Sequence, residues 1–257
     1  MSEPTDSVLV ESGDGVMVIT INRPGAKNAM TLEAAERIAA ALDELDTRDD
    51  LVVGIITGAG GTFCAGMDLK GFLRGERPSL PGRGFAGLTE APPAKPLLAA
   101  VEGYALAGGC EIVLACDLVV AARGAKLGIP EVKRGLAAAA GGLLRLPERL
   151  GPNVAMELAL TGDFLDTQRA YELGLVNRIT DDGEALAGAR ELARKIAANG
   201  PMAVRASKQV ITESPSWPAA ERFQRQWKIL DPVFASEDAQ EGSRAFAEKR
   251  APNWKGK

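Results

Sequence analysis

Apolar and polar positions alternate through residues 8–21 (VLVESGDGVMVITI) on either side of Gly13-Asp14-Gly15, the period-two pattern of a β-hairpin with a glycine-bearing turn. Arg23-Pro24-Gly25 ends it. From Thr31, a favoured helix cap, Leu32, Ala35, Ile38, Leu42 and Leu45 recur at helical spacing through Asp46 and predict an amphipathic helix. Leu51–Thr57 (LVVGIIT) and Pro96–Glu102 (PLLAAVE) are short apolar runs of the buried parallel-strand kind. The first ends in Gly58-Ala59-Gly60-Gly61, the second in the small-residue stretch Gly103–Gly109. A helical stretch at Cys110–Cys116, a strand at Leu118–Ala122 and a shorter one at Lys126–Ile129 follow, ahead of Pro130-Glu131. Strand–turn–helix units thus recur roughly every 40–50 residues, which predicts a layered α/β core.

Residues 71–95 interrupt this rhythm with Gly, Pro and charge, and read as a long surface loop able to act as a lid. Past about residue 184 strand signals stop, and helical patterns punctuated by Asn199-Gly200-Pro201, Pro215, Pro218 and Pro232 take over. The expected organisation is an α/β core over residues 1–195 and a helical extension over 196–257.

The chain has 257 residues, 46% apolar and 25% charged, enough to bury one sizeable core. Thirty Lys and Arg against 34 Asp and Glu leave a net charge of −4 and no basic field for nucleic acid. The opening MSEPTDSVLVESGDG has no basic segment followed by an apolar one, and no apolar run reaches the ~18–20 residues that span a bilayer, so a cytoplasmic protein without membrane contact is expected. Cys64, Cys110 and Cys116 show no paired spacing and are expected as buried reduced thiols rather than zinc ligands. Histidine is absent, which removes imidazole bases and leaves acid–base chemistry to carboxylates, Lys, Tyr or Cys.

Two glutamates stand among residues that suit charge poorly. Glu111 lies in GGCEIVLA, where burial would raise its pKa toward the range useful for proton transfer, although an acid in a first helical turn is also favoured by the helix dipole alone. Glu131 follows LGIP and, taken alone, reads more readily as a helix-start carboxylate. The two glycine-rich turns each follow a buried strand and would place backbone N–H groups at one sheet edge. Neither is a nucleotide loop: no G-x-x-x-x-G-K-[ST] occurs, and the first lacks the third glycine of G-x-G-x-x-G.

Taken in order, ITINRPGAKNAM (19–30), GTFCAGMDLK (61–70), VEGYALAGGCEIVLACDLVVAA (101–122), LGIPEVKRGL (127–136) and AFAEKRAPNW (245–254) resemble the enoyl-CoA hydratase/isomerase (crotonase) superfamily over nearly the whole chain. The resemblance implies a crotonase-type spiral of ββα units with a helical C-terminal region that builds homotrimers, often paired into homohexamers. It implies Met67 and Gly108 as the amides of an oxyanion hole and Glu111 and Glu131 as the glutamate pair of true hydratases. It further places Ala26, Lys27, Asn28, Ala65, Asp68 and Leu69 along coenzyme A, with Phe246 and Lys249 reaching it, in some members from a neighbouring subunit. One stretch departs from the family pattern: Gly-x-x-Pro-Gly-x-Gly-Gly reads here GLAAAAGG, with Ala138 and Ala139 in place of Pro and Gly. Ala139 keeps an N–H for the catalytic water, but its Cβ enters the pocket and bears on acyl preference.

The expected reaction is reversible syn hydration of a trans-2-enoyl-CoA, a hydro-lyase activity of the kind used in fatty-acid β-oxidation, with no metal or redox cofactor. Alternatives are another crotonase reaction, such as enoyl isomerisation or dehydration of a specialised hydroxyacyl-CoA, and a non-catalytic acyl-CoA-binding protein.

Overall fold

The hairpin forms where the alternation placed it, β1 (Val8–Gly13) pairing antiparallel with β2 (Val16–Ile21) so that Val10 lies opposite Ile19. Asp14 and Gly15 both take positive φ, 52° and 76°, as the two-residue turn that matches strand twist requires. The computed structural model describes residues 6–257; the first five residues of the opening stretch discussed above lie outside them.

β2 crosses to β3 (Val53–Gly58) through α1 (Leu32–Thr47), which Thr31 caps by accepting the Ala34 N–H. Ala34, Ala35, Ile38, Leu42 and Leu45 are at most 1% exposed, so the predicted stripe is the face that packs; only Leu32, at 36%, stands off it. α2 (Leu69–Leu73), β4 (Ser79–Leu80) and β5 (Gly84–Phe85) follow, then β6 (Leu97–Val101), β7 (Tyr104–Leu106) and α3 (Gly108–Ala115), and then β8 (Leu118–Ala122) and β9 (Lys126–Gly128). β3 lies parallel to β2, β6 to β3 and β8 to β6, each new strand beside the last, while β7 and β9 pair in a second sheet. β6 with β7 and β8 with β9 thus give one strand to each sheet, β3 gives one to the large sheet and reaches the second through the Cys64–Ala105 bridge, and β1 and β2 both stay in the large sheet, so that the units stack as a spiral. Every residue of β6 is completely buried, which accounts for its unbroken apolar run.

Beyond β9 come α4 (Gly142–Leu150), α5 (Pro152–Thr161), β10 (Leu165–Asp166), α6 (Thr167–Glu172) and β11 (Arg178–Thr180). The sheets are ordered β1-β2-β3-β6-β8-β11 and β10-β9-β7. After β11 the described chain is helical: α7 (Ala185–Ala197), which covers the large sheet, then α8 (Pro201–Glu213), α9 (Arg222–Phe234) and α10 (Glu237–Glu248). Lys208 fastens α8 to the core, its Nζ donating to Pro93 O, Lys95 O and Asp117 Oδ2. No helix of the described residues is long and apolar enough to cross a membrane.

The surface loop expected over 71–95 is corrected. Residues 84–89 are buried, with Ala86 and Leu88 at 0% and Phe85 at 7% exposure. Gly87, at φ +69°, passes so near α1 that a Cβ would lie 2.6 Å from the Ala35 carbonyl oxygen. Three apolar residues among glycines have no period for a sequence pattern to register, yet they fill the space between α1 and the site.

Candidate active site

The turn after β3 is held from inside by Asn28, whose fully buried amide donates to Ala59 O (2.8 Å) and Thr62 O (2.6 Å) and accepts the Arg23 N–H. The chain then runs on through Phe63–Met67, with Met30 bridged to Met67 and Cys64 to Ala105. Met30 bonds through Gly66 O and the Asp68 N–H, so the Met67 N–H faces the other way. On the second turn Ala107 holds φ 52° and ψ −127°, a conformation costing a non-glycine residue ~1–3 kcal/mol, and donates to Gly128 O. That turn opens α3 at Gly108. A Cβ on Gly66, at φ +99°, would lie 2.9 Å from Ala107 Cβ and 3.4 Å from Gly108 N. The two turns are thus packed together, and Met67 and Gly108 line one cavity. Neither N–H has a backbone acceptor among the described residues.

The first glycine cluster is placed differently from expectation. Gly58–Gly61 packs on its own turn and on Pro24, and none of its residues lines the cavity; Ala65 and Met67 do so in its stead.

Glu111, in the first turn of α3, is 3% exposed. Its Oε1 accepts the N–H groups of Ala140 (2.7 Å) and Gly142 (2.9 Å). A Cβ on Gly142 would sit 3.0 Å from that oxygen, so the position has room for little but glycine. Burial pushes the Glu111 pKa up, and the two amides and the charge of Arg145 work against it. Glu131, on the 3-10 turn that Pro130 begins after β9, also faces the cavity. Its Oε2 is buried without a hydrogen-bond partner. Burial pushes its pKa up to about 7; its own backbone N–H opposes the rise, and the negative charge of Glu111 adds to it. Two carboxyls in one cavity therefore differ in environment, one held by amides and the other left bare.

The cavity measures about 890 Å³. Lys27, Ala65, Leu69 and Ala139 line it, together with Tyr104 and Phe164, which meet edge to face at 6.4 Å. Lys27 Nζ stands 5.9 Å from the centroid of Tyr104. Ala26, Asn28 and Asp68 lie outside its lining: Asn28 is spent on the turn, and Asp68 caps α2 and pairs with Arg23 at 3.0 Å. Phe246, 87% exposed, and Lys249, at the end of α10, also lie outside it within one chain. None of residues 137–140 has positive φ, so the alanines that replace the family's Pro and Gly sit without backbone strain.

A family model described as enoyl-CoA hydratase/isomerase matches residues 11–257. The chain belongs to that family. It is 42% identical to enoyl-CoA hydratase EchA19 of Mycobacterium tuberculosis, covering 98% of this chain and 97% of that protein. With carnitinyl-CoA dehydratase of Salmonella typhi it shares 41% identity over 98% and 100% of the two chains. A crystal structure of enoyl-CoA hydratase from M. tuberculosis H37Rv superposes with a TM-score of 0.97 at 59% identity, covering 98% of this chain and all of that one. The crotonase-type α/β spiral with its helical C-terminal region is therefore this chain's fold.

Several residues of this crotonase site escaped sequence reasoning. Ala140 and Gly142 act through backbone amides, which leave no side-chain signature, although the Gly141-Gly142 pair is the visible trace of their turn. Phe85 packs so closely on the α3 entry that a Cβ on Gly108 would lie 2.4 Å from its ring, and it sits in the segment read as a loop. Glu90 and Ser79 line the cavity from the same segment. All three cysteines are free and buried, and burial pushes the thiols of Cys64 and Cys110 up to about 12.

Proposed function

We propose that the cavity hydrates trans-2-enoyl-CoA. Glu111 takes a proton from the water that adds to C3, Glu131 gives its proton to C2, and the Met67 and Gly108 amides hold the thioester oxygen as negative charge collects there. Water's hydroxyl and one proton are added across the double bond, and the proton gained by Glu111 balances the one lost by Glu131. The observation that carries this reading is the contrast between the two carboxyls: Glu111 Oε1 is held by two amides, while Glu131 keeps its proton near neutrality and has an unpartnered oxygen in the same cavity. Each oxyanion amide contributes ~2.7–4 kcal/mol in comparable sites. No step draws on a metal or redox cofactor.

Loss of the conjugated thioester absorbance on mixing protein with crotonyl-CoA and longer enoyl-CoAs tests this directly. Glu111→Gln is expected to lower kcat about 10²–10⁴-fold with binding of the thioester retained. Undiminished turnover in that variant overturns the assignment.

The same reading makes the protein a cytoplasmic homo-oligomer, a trimer or a dimer of trimers, serving fatty-acid breakdown. Phe246 and Lys249 would then reach coenzyme A bound to a neighbouring copy. The exposed apolar side chains of Leu144 and Leu160 on α4 and α5 support such assembly.

Glu90 favours a second reading of the acyl group. Its carboxylate makes no ion pair among the described residues and lines the cavity, as Phe85 does, a setting suited to an acyl chain bearing a cation, as a carnitinyl group does. Under that reading Glu90→Gln lowers kcat/KM for crotonobetainyl-CoA at least ~10-fold while crotonyl-CoA changes less than ~3-fold, since a lost charge contact is worth ~1–2 kcal/mol. Equal changes for both substrates exclude it.

A further inference from the structure

We propose that Arg145 is a positioning residue for Glu111, holding the turn that carries the two amides and presenting a positive charge behind the carboxylate. This rests on the reading of Glu111 as the base. The Gly141-Gly142 dipeptide lies between the two side chains: a Cβ on Gly142 would stand 3.0 Å from Glu111 Oε1, and one on Gly141 would stand 2.3 Å from Arg145 Nη1. Gly141 takes φ +98°, and its carbonyl accepts the backbone N–H of residue 145 at 2.9 Å, a main-chain bond that any residue there keeps, so the side chain's own hold on the turn is the packing of its guanidinium on Gly141. The guanidinium spans to the other wall, where Nη2 donates to Thr89 O at 2.6 Å. Thr89 ends the buried 84–89 segment whose Phe85 packs on Gly108. The guanidinium thus packs on the base's cradle at Gly141 while bonding to the segment packed against the oxyanion turn.

Arg145 is half-buried, and burial is the first effect drawing its own pKa down; it is held charged against Arg149 by Glu148 and Glu111. Around Glu111 the charged and titratable groups are Arg145 itself, Glu131 across the cavity and the adjoining Cys110 thiol. Burial raises the Glu111 pKa, and Arg145 is the only side-chain charge opposing that rise among the described residues. Removing it leaves the amides as the remaining restraint on a buried anion.

The test compares Arg145→Met and Arg145→Lys with wild type by kcat/KM against pH and by ¹³C titration of the Glu111 carboxyl, assigned with Glu111→Gln. The expected result for Arg145→Met is an acidic limb displaced upward by at least half a pH unit, with kcat at pH 6 reduced ~10-fold or more and KM within ~3-fold of wild type. Arg145→Lys is expected to restore the limb toward its original position but only part of kcat, because lysine supplies charge without the planar guanidinium that packs on Gly141 and bonds Thr89 O. A Glu111 titration unmoved in Arg145→Met overturns the proposal, and the carboxyl signal reports this even in a variant with no turnover. Should Arg145→Met fail to fold, an unmoved Glu111 titration in Arg145→Lys together with unchanged kcat overturns it equally. Failure of wild type to hydrate any enoyl-CoA would instead count against the proposed reaction.

Discussion

Glu131→Gln is expected to lower kcat for enoyl-CoA hydration about 10²–10⁴-fold and, at the same time, to make the folded protein more stable above pH 7. Both effects come from one cause. The Glu131 carboxyl is desolvated and one of its oxygens has no partner, so the fold favours the protonated acid. Glutamine mimics that neutral form in shape but has no proton to deliver to C2. A group whose folded pKa is raised gives its full stability below its unfolded pKa and loses it as pH rises through the folded value, here from about 4.5 to about 7. Wild type should therefore fall behind the variant across that window and stay behind above it. The whole shift corresponds to ~3 kcal/mol, and the carboxyl's partial access to water reduces this to about 1–2 kcal/mol. Thermal melts should show the variant ahead by ~2–6 °C at pH 8.5 and level with wild type at pH 4. A gain equal at both pH values, or a kcat left within threefold of wild type, would disprove the role given to Glu131.

That Glu131 is read as an acid depends on surroundings that sequence displays unevenly. Pro130 announced the helical turn, and LGIPEVKRGL placed the residue within its family, but a carboxylate after proline is ordinary by itself. The unpartnered oxygen and the neighbouring Glu111 exist only once β9 and α3 are folded onto one cavity. Local pattern was sufficient to place the hairpin, α1 and the buried strands: in α1 the apolar stripe is the face that packs, and in β6 the unbroken apolar run is a strand buried on both faces, whereas in the hairpin the pattern marked the turn but not the burial, since β2 is buried nearly throughout and Leu9 and Val10 of β1 are exposed. It was insufficient for the Gly58–Gly61 turn, where a side chain thirty residues earlier, Asn28, sets the path and delivers Ala65 and Met67 to the cavity. It was insufficient again at 84–89, where burial follows from the fit of Gly87 against α1. Ala138 and Ala139 show a third case: the missing Pro and Gly stood out in the sequence, yet the left-handed backbone of this turn is taken by Gly141, and the alanines need no special conformation. Motif order pointed to Glu111 and Glu131, which line one cavity, while the amides that hold Glu111 are backbone groups with no letter of their own.

Those amides and both turns of the proposed oxyanion site depend on one close approach, and Gly109→Ala should break it. A Cβ at Gly109 would lie 2.1 Å from Cys64 O and 2.8 Å from Cys64 C, atoms of the backbone with no flexible end to move aside. Cys64 cannot retreat easily, since its N–H donates to Tyr104 O (2.9 Å) and its O accepts the Leu106 N–H (3.0 Å). The strain must then be relieved by moving the first turn of α3, which carries Gly108 and Glu111 together. Overpacking of this kind costs ~1–3 kcal/mol or more, and displacing reacting groups by about 1 Å costs ~10²-fold in rate. The expected variant melts at least ~4 °C lower and loses ~10²-fold or more in kcat. Gly13→Ala supplies the contrast: nothing lies within 4 Å of its Cβ and its φ is not positive, so activity and melting temperature should stay near wild type. Wild-type kcat in a folded Gly109→Ala protein would mean that α3 can shift without uncoupling the two turns. The rigid juxtaposition of Gly108 with Met67 would then not be what holds the thioester oxygen.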